Sequence, residues 1–384
     1  MISANSKYDV IIIGAGPAGC TCALALKKSG LKILLLDKCA FPRDKICGDA
    51  IPGNALKTLQ SVSRYHYQKF LDFAEKSFIS KSYLYLNNKP KVVLNWQNES
   101  YTCQRIHFDN FLLNAVKHDA VVDVIEDFKI DYIENNQKSV FAGNKAKSII
   151  YEASMIVACD GGNSFVSRTL SADASSIKNG LFAVRSLYSN VENLDIDASE
   201  IYTLKKYMPG YFWVFPLPNN TANIGFGMQL NALHKRKINI NEAFYDFIEQ
   251  SDILKQKLKN SYQLTKLKGG YLPLHFKNKK LCGNRFILCG DAAALINPTS
   301  GDGIGNAMTS GKIAAEHIIN AFKNKIFSPY TLCNYESAIY KKLGKNLINN
   351  LKLLRFCTKF PFIITIISAL LRHKITSSFI KRAF

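Results

Sequence analysis

None of the ten cysteines pairs in a C-x-x-C spacing, so zinc ribbons and thioredoxin-type redox motifs are excluded. Cys20 and Cys22 are the nearest pair and fall in a helix-like stretch. All ten read as reduced thiols of a cytoplasmic protein, and no metal site is expected. Residues 1–7, ahead of the first strand, are too short for the regions of an export signal. No fixed-period repeat is visible, which excludes solenoids and propellers. The C-terminal apolar run 360–371 (FPFIITIISALL) falls short of the about 20 residues that a membrane-spanning helix requires. Acidic residues are also scarce. There are 29 Asp+Glu against 50 Lys+Arg, a formal net charge of +21, and none follows Glu336. Such an excess suits nucleic acid, a membrane surface or acidic ligands. The Lys- and Asn-rich composition accounts for the total, and no nucleic-acid partner is expected. The one-sided C-terminus is the informative part: a basic tail carrying an apolar run can lie in a membrane interface or pack as a buried helix.

The 384 residues suffice for roughly two domains of about 100–200 residues each. Residues 8–13 (YDVIII) read as a buried parallel strand, 20–30 as a helix stopped by Gly30, and 31–36 (LKILLL) as a second buried strand. Between them lies G-x-G-x-x-G. Gly14 allows a tight turn, Gly16 lets backbone approach a pyrophosphate, and Gly19 lets helix and strand pack closely. Pro17 and Ala18 complete the loop, and the helix start attracts phosphate. Asp37, followed by Lys38, stands where a carboxylate accepts from ribose hydroxyls. Further along, 78–96 reads as a hairpin turning at Asn87-Asn88, and 108–118 as a helix. Residues 121–150 read as a small antiparallel meander and 155–159 as a buried strand. Residues 181–228 read as sheet strands, and 241–259 as one helix capped by Asn239 or Asn241. Residues 286–289 read as a strand and 304–322 as a helix.

Two later segments, 159–170 (CDGGNSFVSRTL) and 289–308 (CGDAAALINPTSGDGIGNAM), each follow a short buried strand. With the opening motif, they resemble the flavin monooxygenase and reductase superfamily built like p-hydroxybenzoate hydroxylase. The resemblance implies FAD as cofactor. It assigns Asp160 and Gly161 to the cofactor region, and Gly290-Asp291 to the ribityl chain. Pro298, Gly301 and Gly303 pass the flavin ring, and Arg105 packs along the cofactor. The helix that starts at Ile304 aims its positive end at the ring edge, where it stabilises negative charge. No second G-x-G-x-x-G follows a strand, so reducing equivalents come from transiently docked NAD(P)H or a reduced electron carrier.

Two further strings resemble the geranylgeranyl reductase branch: 41–56 (FPRDKICGDAIPGNAL) and 210–228 (GYFWVFPLPNNTANIGFGM), the latter read as a strand followed by an Asn-Gly turn. Asp49 departs from that pattern, standing where Gly is common. Flavin halogenases carry a related Trp-x-Trp-x-Ile-Pro string. Here Tyr211 and Phe215 replace the first Trp and the Ile, which argues against halogenation. The resemblance implies reduction of isoprenoid C=C bonds on a prenyl lipid or quinone. A monooxygenase acting on an aromatic or polyketide substrate and a non-catalytic electron-transfer flavoprotein stay open. Cys47, with Gly48, is a candidate proton donor or a packing residue. Tyr211, Trp213, Phe215 and Pro216 are candidate pocket residues for a hydrophobic or lipid substrate.

The expected architecture is α/β: a Rossmann-like FAD-binding domain with an inserted, mainly antiparallel β substrate domain and a helical C-terminus. The FAD-binding parts are 1–75, 101–175 and 271–330. The substrate domain comprises a hairpin at 76–100 and the segment 176–270, and 331–384 forms a basic helical region. The expected location is cytoplasmic, with peripheral contact at the inner face of the membrane.

Overall fold

The computed structural model describes residues 6–119, 122–171, 180–274 and 279–359. Leucine- and isoleucine-rich runs build the first sheet. Strand Ser6–Ile13 pairs in parallel with Ile33–Leu36 on one side and Ile149–Ala158 on the other. Val122–Ile125 and Phe286–Leu288 extend it, also in parallel. All four residues Ile33–Leu36 are buried, as a strand covered on both faces requires. Helix Pro17–Leu26 makes the first crossover. It ends earlier than the sequence suggests, and Gly30 turns the chain in the left-handed region, φ 73°.

The second sheet holds strands Ser77–Leu86, Val92–Thr102, Gly180–Ser189, Ala198–Thr203, Tyr211–Leu217 and Thr221–Gln229, with short strands at its margins. Its pairing is antiparallel except between Ala198–Thr203 and Ser77–Leu86. Asn87-Asn88 and Asn219-Asn220 form its tight turns, all four at positive φ, the conformation that two-residue hairpins need and Asn tolerates. One face buries Tyr202, Phe212 and Phe226 against helices Ile240–Glu249 and Asp252–Lys257, the first of which contributes Phe244 and Phe247. The other face turns toward the first sheet.

Three sequence expectations need correction. Val122–Ile125 belongs to the parallel sheet, not to the meander. The meander is Tyr132–Asn135, Val140–Asn144 and the first half of Ile149–Ala158, whose second half continues into the parallel sheet. The single helix over 241–259 is two helices, because the Ser251 side chain accepts from Leu254 N and starts a new one. The Gly-containing stretch at 223–227 is strand, and the turn lies earlier, at Asn219-Asn220. Asn239 is the cap, accepting from Asn241 N at 3.0 Å. The apolar run 360–371 lies outside the described residues. Among the described residues, no helix is long and apolar enough to cross a membrane.

Candidate active site

The glycine loop shows why Gly14 and Gly19 are required. A Cβ on Gly14 (φ 104°) would sit 2.2 Å from Cys159 O, and one on Gly19 would sit 1.9 Å from Gly14 O. These two glycines knit strand, turn and helix together. Gly16 differs: a Cβ there would meet only the Arg43 guanidinium, 3.8 Å away. Its backbone faces open space beside a cation. No side chain caps the first turn of helix Pro17–Leu26, and Pro17 opens it. Ala18 is buried, its carbonyl against Gly311 of the long helix Ile304–Asn324. Asp37 is buried and braces the loop, accepting from Ala15 N at 2.7 Å and Cys39 N at 2.9 Å. Lys38 beside it is exposed. An uncapped helix start, a bare glycine backbone, a facing arginine and a carboxylate at the strand end suit an anionic dinucleotide.

The other predicted cofactor residues gather around the same crevice. Asp160 caps helix Phe165–Leu170 through Phe165 N (2.7 Å) and Val166 N (3.2 Å), while its second, buried oxygen finds no partner among the described residues. Burial pushes this carboxyl up, against the hydrogen bonds it accepts. Gly161 (φ 84°) faces open space. Gly290 (φ 56°) lies against Ala307, and the next residue, Asp291, pairs with Lys45 at 3.1 Å. The loop 297–302 closes on itself through Asn297 N to Asp302 O (2.8 Å) and Gly301 N to Asn297 O (2.9 Å). Pro298 is buried in it, and Gly301 takes φ 69°. Gly303 approaches Asp291 so closely that a Cβ would lie 3.2 Å from its Oδ1. Ile304 then opens the long helix, and Asp302 accepts from Ile304 N. Burial pushes the Asp302 carboxyl up to about 6, against the Ile304 and Gly305 N–H groups.

Arg105 is almost fully buried. Its guanidinium grips Asp109 through two bonds, 2.6 and 2.7 Å, and Asp109 also takes Arg43 at 2.6 Å. Burial of Asp109 is outweighed by these cations, which hold its carboxyl below the usual range. Arg105 lies beside the Cys47 thiol. Burial pushes that thiol up, and Arg105 is the leading opposing influence. The Arg105–Asp109 pair has the i,i+4 spacing of a helix-face ion pair, a signal the sequence reading passed over.

The loop bearing Cys47 and Gly48 lies against the second sheet. A Cβ on Gly48 would sit 3.2 Å from the Phe215 ring and 3.5 Å from Trp213 Nε1, so the glycine permits contact with the aromatics. Tyr211, Trp213 and Phe215 share one strand face, with ring centroids 6.0 and 6.2 Å apart. Pro216 does not join them. Strand alternation puts it on the opposite face with Phe212 and Val214, and its carbonyl accepts from Thr102. Trp213 lies over Gly225, where a Cβ would be 2.1 Å from Cζ2. Tyr211 donates to Ser300 O at 2.6 Å and ties the second sheet to the loop 297–302.

Sequence reading missed Asn223 and Arg185 and treated Asp49 only as a departure. Asp49 is fully buried at φ 64°. Its left-handed backbone explains why Gly suits this position, and Asp is among the residues that tolerate it. Its carboxylate accepts from Arg105 N (3.2 Å) and from Asn223 Nδ2 (2.6 Å). Asn223 also donates to Cys47 O at 2.8 Å and accepts from Trp213 Nε1 at 2.9 Å. Arg185, across the sheet from Gly225, pairs with Asp44 at 2.6 Å, and its buried Nε finds no acceptor among the described residues.

The family model described as FAD binding domain matches residues 7–325. The chain belongs to the FAD binding domain family. FAD is therefore the cofactor of the crevice described above. Among curated proteins, the chain is 28% identical to the digeranylgeranylglycerophospholipid reductase of Methanococcus vannielii, over 92% of this chain and 87% of that protein. It is 24% identical to the 1H-pyrrole-2-carbonyl-[peptidyl-carrier protein] chlorinase of Pseudomonas fluorescens, over 87% of this chain and 81% of that protein. Among solved structures, it resembles a geranylgeranyl bacteriochlorophyll reductase-like protein from Thermoplasma acidophilum, with TM-score 0.79, 24% identity, and 91% and 87% of the two chains covered. It also resembles the flavin-dependent brominase Bmp2, with TM-score 0.80, 19% identity, and 98% and 93% covered. Both likenesses establish the shared fold of this FAD family.

Proposed function

We propose that this FAD-dependent oxidoreductase saturates isoprenoid C=C bonds of a prenyl lipid or quinone. The observation that carries the reading is the Cys47–Gly48 loop, set between the buried Arg105 and the aromatic strand Tyr211–Leu217. The curated relatives named as reductases, at about this identity across most of the chain, support it. FAD, when bound, supplies the hydride. The residues of the chain must hold the alkene, keep water out and deliver one proton. Burial keeps the Cys47 thiol protonated at neutral pH. Arg105 beside it stabilises the thiolate left when the proton passes to the carbon opposite the one that takes the hydride. One hydride and one proton add across the double bond, and the thiol is restored from solvent. NAD(P)H or a reduced carrier protein supplies the reducing equivalents. The substrate is hydrophobic, and the basic C-terminus makes peripheral contact with the inner membrane face, where such a substrate resides.

The test is anaerobic. Chemically prereduced holoenzyme is mixed with geranylgeranyl-bearing lipid. The expected result is flavin oxidation together with a mass gain of one H2 per double bond. Flavin oxidation only when oxygen and a phenolic ligand are present would select the monooxygenase reading.

A further inference from the structure

Resting on that reading of the site, we propose that Asp49 and Asn223 form a positioning pair that fixes the Cys47–Gly48 loop against the aromatic strand. Three observations support it. First, Asp49 is fully buried, yet the apolar core has no use for a carboxylate. It is retained with both oxygens bonded, one to the start of helix Arg105–His118 and one to the second sheet. Second, Asn223 spends its amide completely within the site. Its Nδ2 holds both the Asp49 carboxylate and the Cys47 carbonyl, and its Oδ1 receives the Trp213 indole. One side chain thus sets the loop and the ring that lies beside Gly48. Third, residue 49 has the left-handed backbone, and Cys103 N donates to its carbonyl at 2.9 Å. The turn that presents Cys47 is therefore anchored on both sides of its bend. Asn223 is the partner seen for the Cys47 carbonyl among the described residues, while Arg105 and the Asp49 backbone hold the thiol itself, so Asn223 and Asp49 both act on the loop that presents it.

Asp49→Gly tests this, because glycine keeps the backbone conformation and removes only the carboxylate. Asp49→Asn is the conservative comparison: its amide oxygen still accepts from Asn223 Nδ2, and Asn223 keeps its bonds to the Cys47 carbonyl and the Trp213 indole. The first readout needs no substrate. It is the limiting rate at high pH of Cys47 alkylation by iodoacetamide in holoenzyme, resolved by peptide mass spectrometry, with Cys333 as the exposed reference. Removing the Asp49 charge lowers the thiol pKa and makes the thiolate a weaker nucleophile, so a faster limiting rate reports access and not acidity. The expected result is at least ~10-fold faster alkylation at Cys47 in Asp49→Gly, an unchanged Cys333 rate, and a rate near wild type in Asp49→Asn. The second readout is prereduced-enzyme oxidation by prenyl lipid, where the limiting rate should fall at least ~10-fold in Asp49→Gly with the half-saturating lipid concentration moved less than ~3-fold, and stay near wild type in Asp49→Asn. If Asp49→Gly does not retain FAD, Asn223→Leu decides: it removes both donor bonds to the loop, so faster Cys47 alkylation supports the pair and a wild-type rate overturns it. Wild-type alkylation in Asp49→Gly, or Asp49→Asn alkylating as fast as Asp49→Gly, overturns the proposal. If the wild-type enzyme reduces no prenyl lipid, the proposed function fails, while the alkylation experiment still decides the positioning pair.

Discussion

At the scale of single residues, the site turns on how burial tunes ionisable groups. Cys47→Ala should leave FAD bound, since the glycine loop and the Asp291 region lie elsewhere in the crevice. It should slow substrate-driven oxidation of the prereduced enzyme at least ~10²-fold, the low end for losing a positioned acid. A variant oxidising at the parent rate would make Cys47 a packing residue. Asp49 gives a pH signature. Burial pushes it up to about 7, against Arg185 and the hydrogen bonds it accepts. An unfolded aspartate titrates near 3.9. The folded chain therefore holds a proton that the unfolded chain releases over roughly pH 4 to 7. The contribution of this group is fully present below that window and declines as pH rises through it, by at most about 1.4 kcal/mol per pH unit. Asp49→Asn should flatten the fall in melting temperature between pH 5 and 7.5. Asp302, also raised, leaves some slope behind. Identical slopes in wild type and variant would show that Asp49 is ionised throughout.

Among elements, the decisive contact is helix on helix. Helix Pro17–Leu26 and the long helix Ile304–Asn324 meet at Gly311, where a Cβ would lie 2.2 Å from Ala18 O. The glycine loop and the loop 297–302 both lead into this seam, because Ala18 and Ile304 sit in the first turns of the two helices. Gly311→Val would force the helices apart, at a cost of about 1–3 kcal/mol or more for overpacking. The expected outcome is a lower melting temperature and loss of flavin on gel filtration, followed by absorbance near 450 nm, the usual flavin band. Retained flavin at wild-type stoichiometry would show that the seam can open without cost to the site. The second sheet makes a parallel point. Its glycine at 225 exists because the Trp213 ring occupies the space above it. A strand glycine weakens local propensity but makes room for close approach, and that trade is visible only once the partner ring is placed.

On the scale of the whole molecule, charge is distributed unevenly. From Lys341 to Lys359 the described chain carries Lys341, Lys342, Lys345, Lys352, Arg355 and Lys359 and no acid. Helix Lys345–Lys359 also touches the crevice, since Asn350 donates to Asn297 Oδ1 at 3.1 Å in the loop 297–302. A basic element attached to the catalytic crevice would bring that crevice to an anionic surface. The full chain should therefore cosediment with vesicles containing phosphatidylserine and not with neutral phosphatidylcholine vesicles. About 0.5 M salt should release it, as the Debye length shrinks below about 5 Å. Equal binding to both vesicle types would remove electrostatic attachment from the account.

Much of the flavin half was legible because its constraints are local. A buried parallel strand is a continuous apolar run, and a phosphate loop needs glycine at fixed spacing. Strand, loop and helix at 8–37 and at 286–322 follow from those rules with small errors at the ends. Gly14 and Gly19 were assigned their roles by spacing alone, and the backbone clashes their Cβ atoms would make supply the reason. The meander at 121–150 was misread because a short strand carries no mark of the sheet it joins. Val122–Ile125 pairs with Ile33–Leu36, about 90 residues back in the chain, and only tertiary packing makes that choice. Pro216 was grouped with its neighbours because adjacency in sequence is not adjacency on a strand face. Asn223, Arg185 and Asp49 could not be read as a group at all. They come from three segments far apart in the chain, and polar residues carry no periodic signal of the kind that betrays a core. The sequence thus determined the cofactor half and the order of its elements, since backbone geometry and phosphate chemistry act over a few residues. Which buried polar side chains meet around Cys47 was decided by the tertiary structure alone, because that requires the register of one sheet against a loop from another.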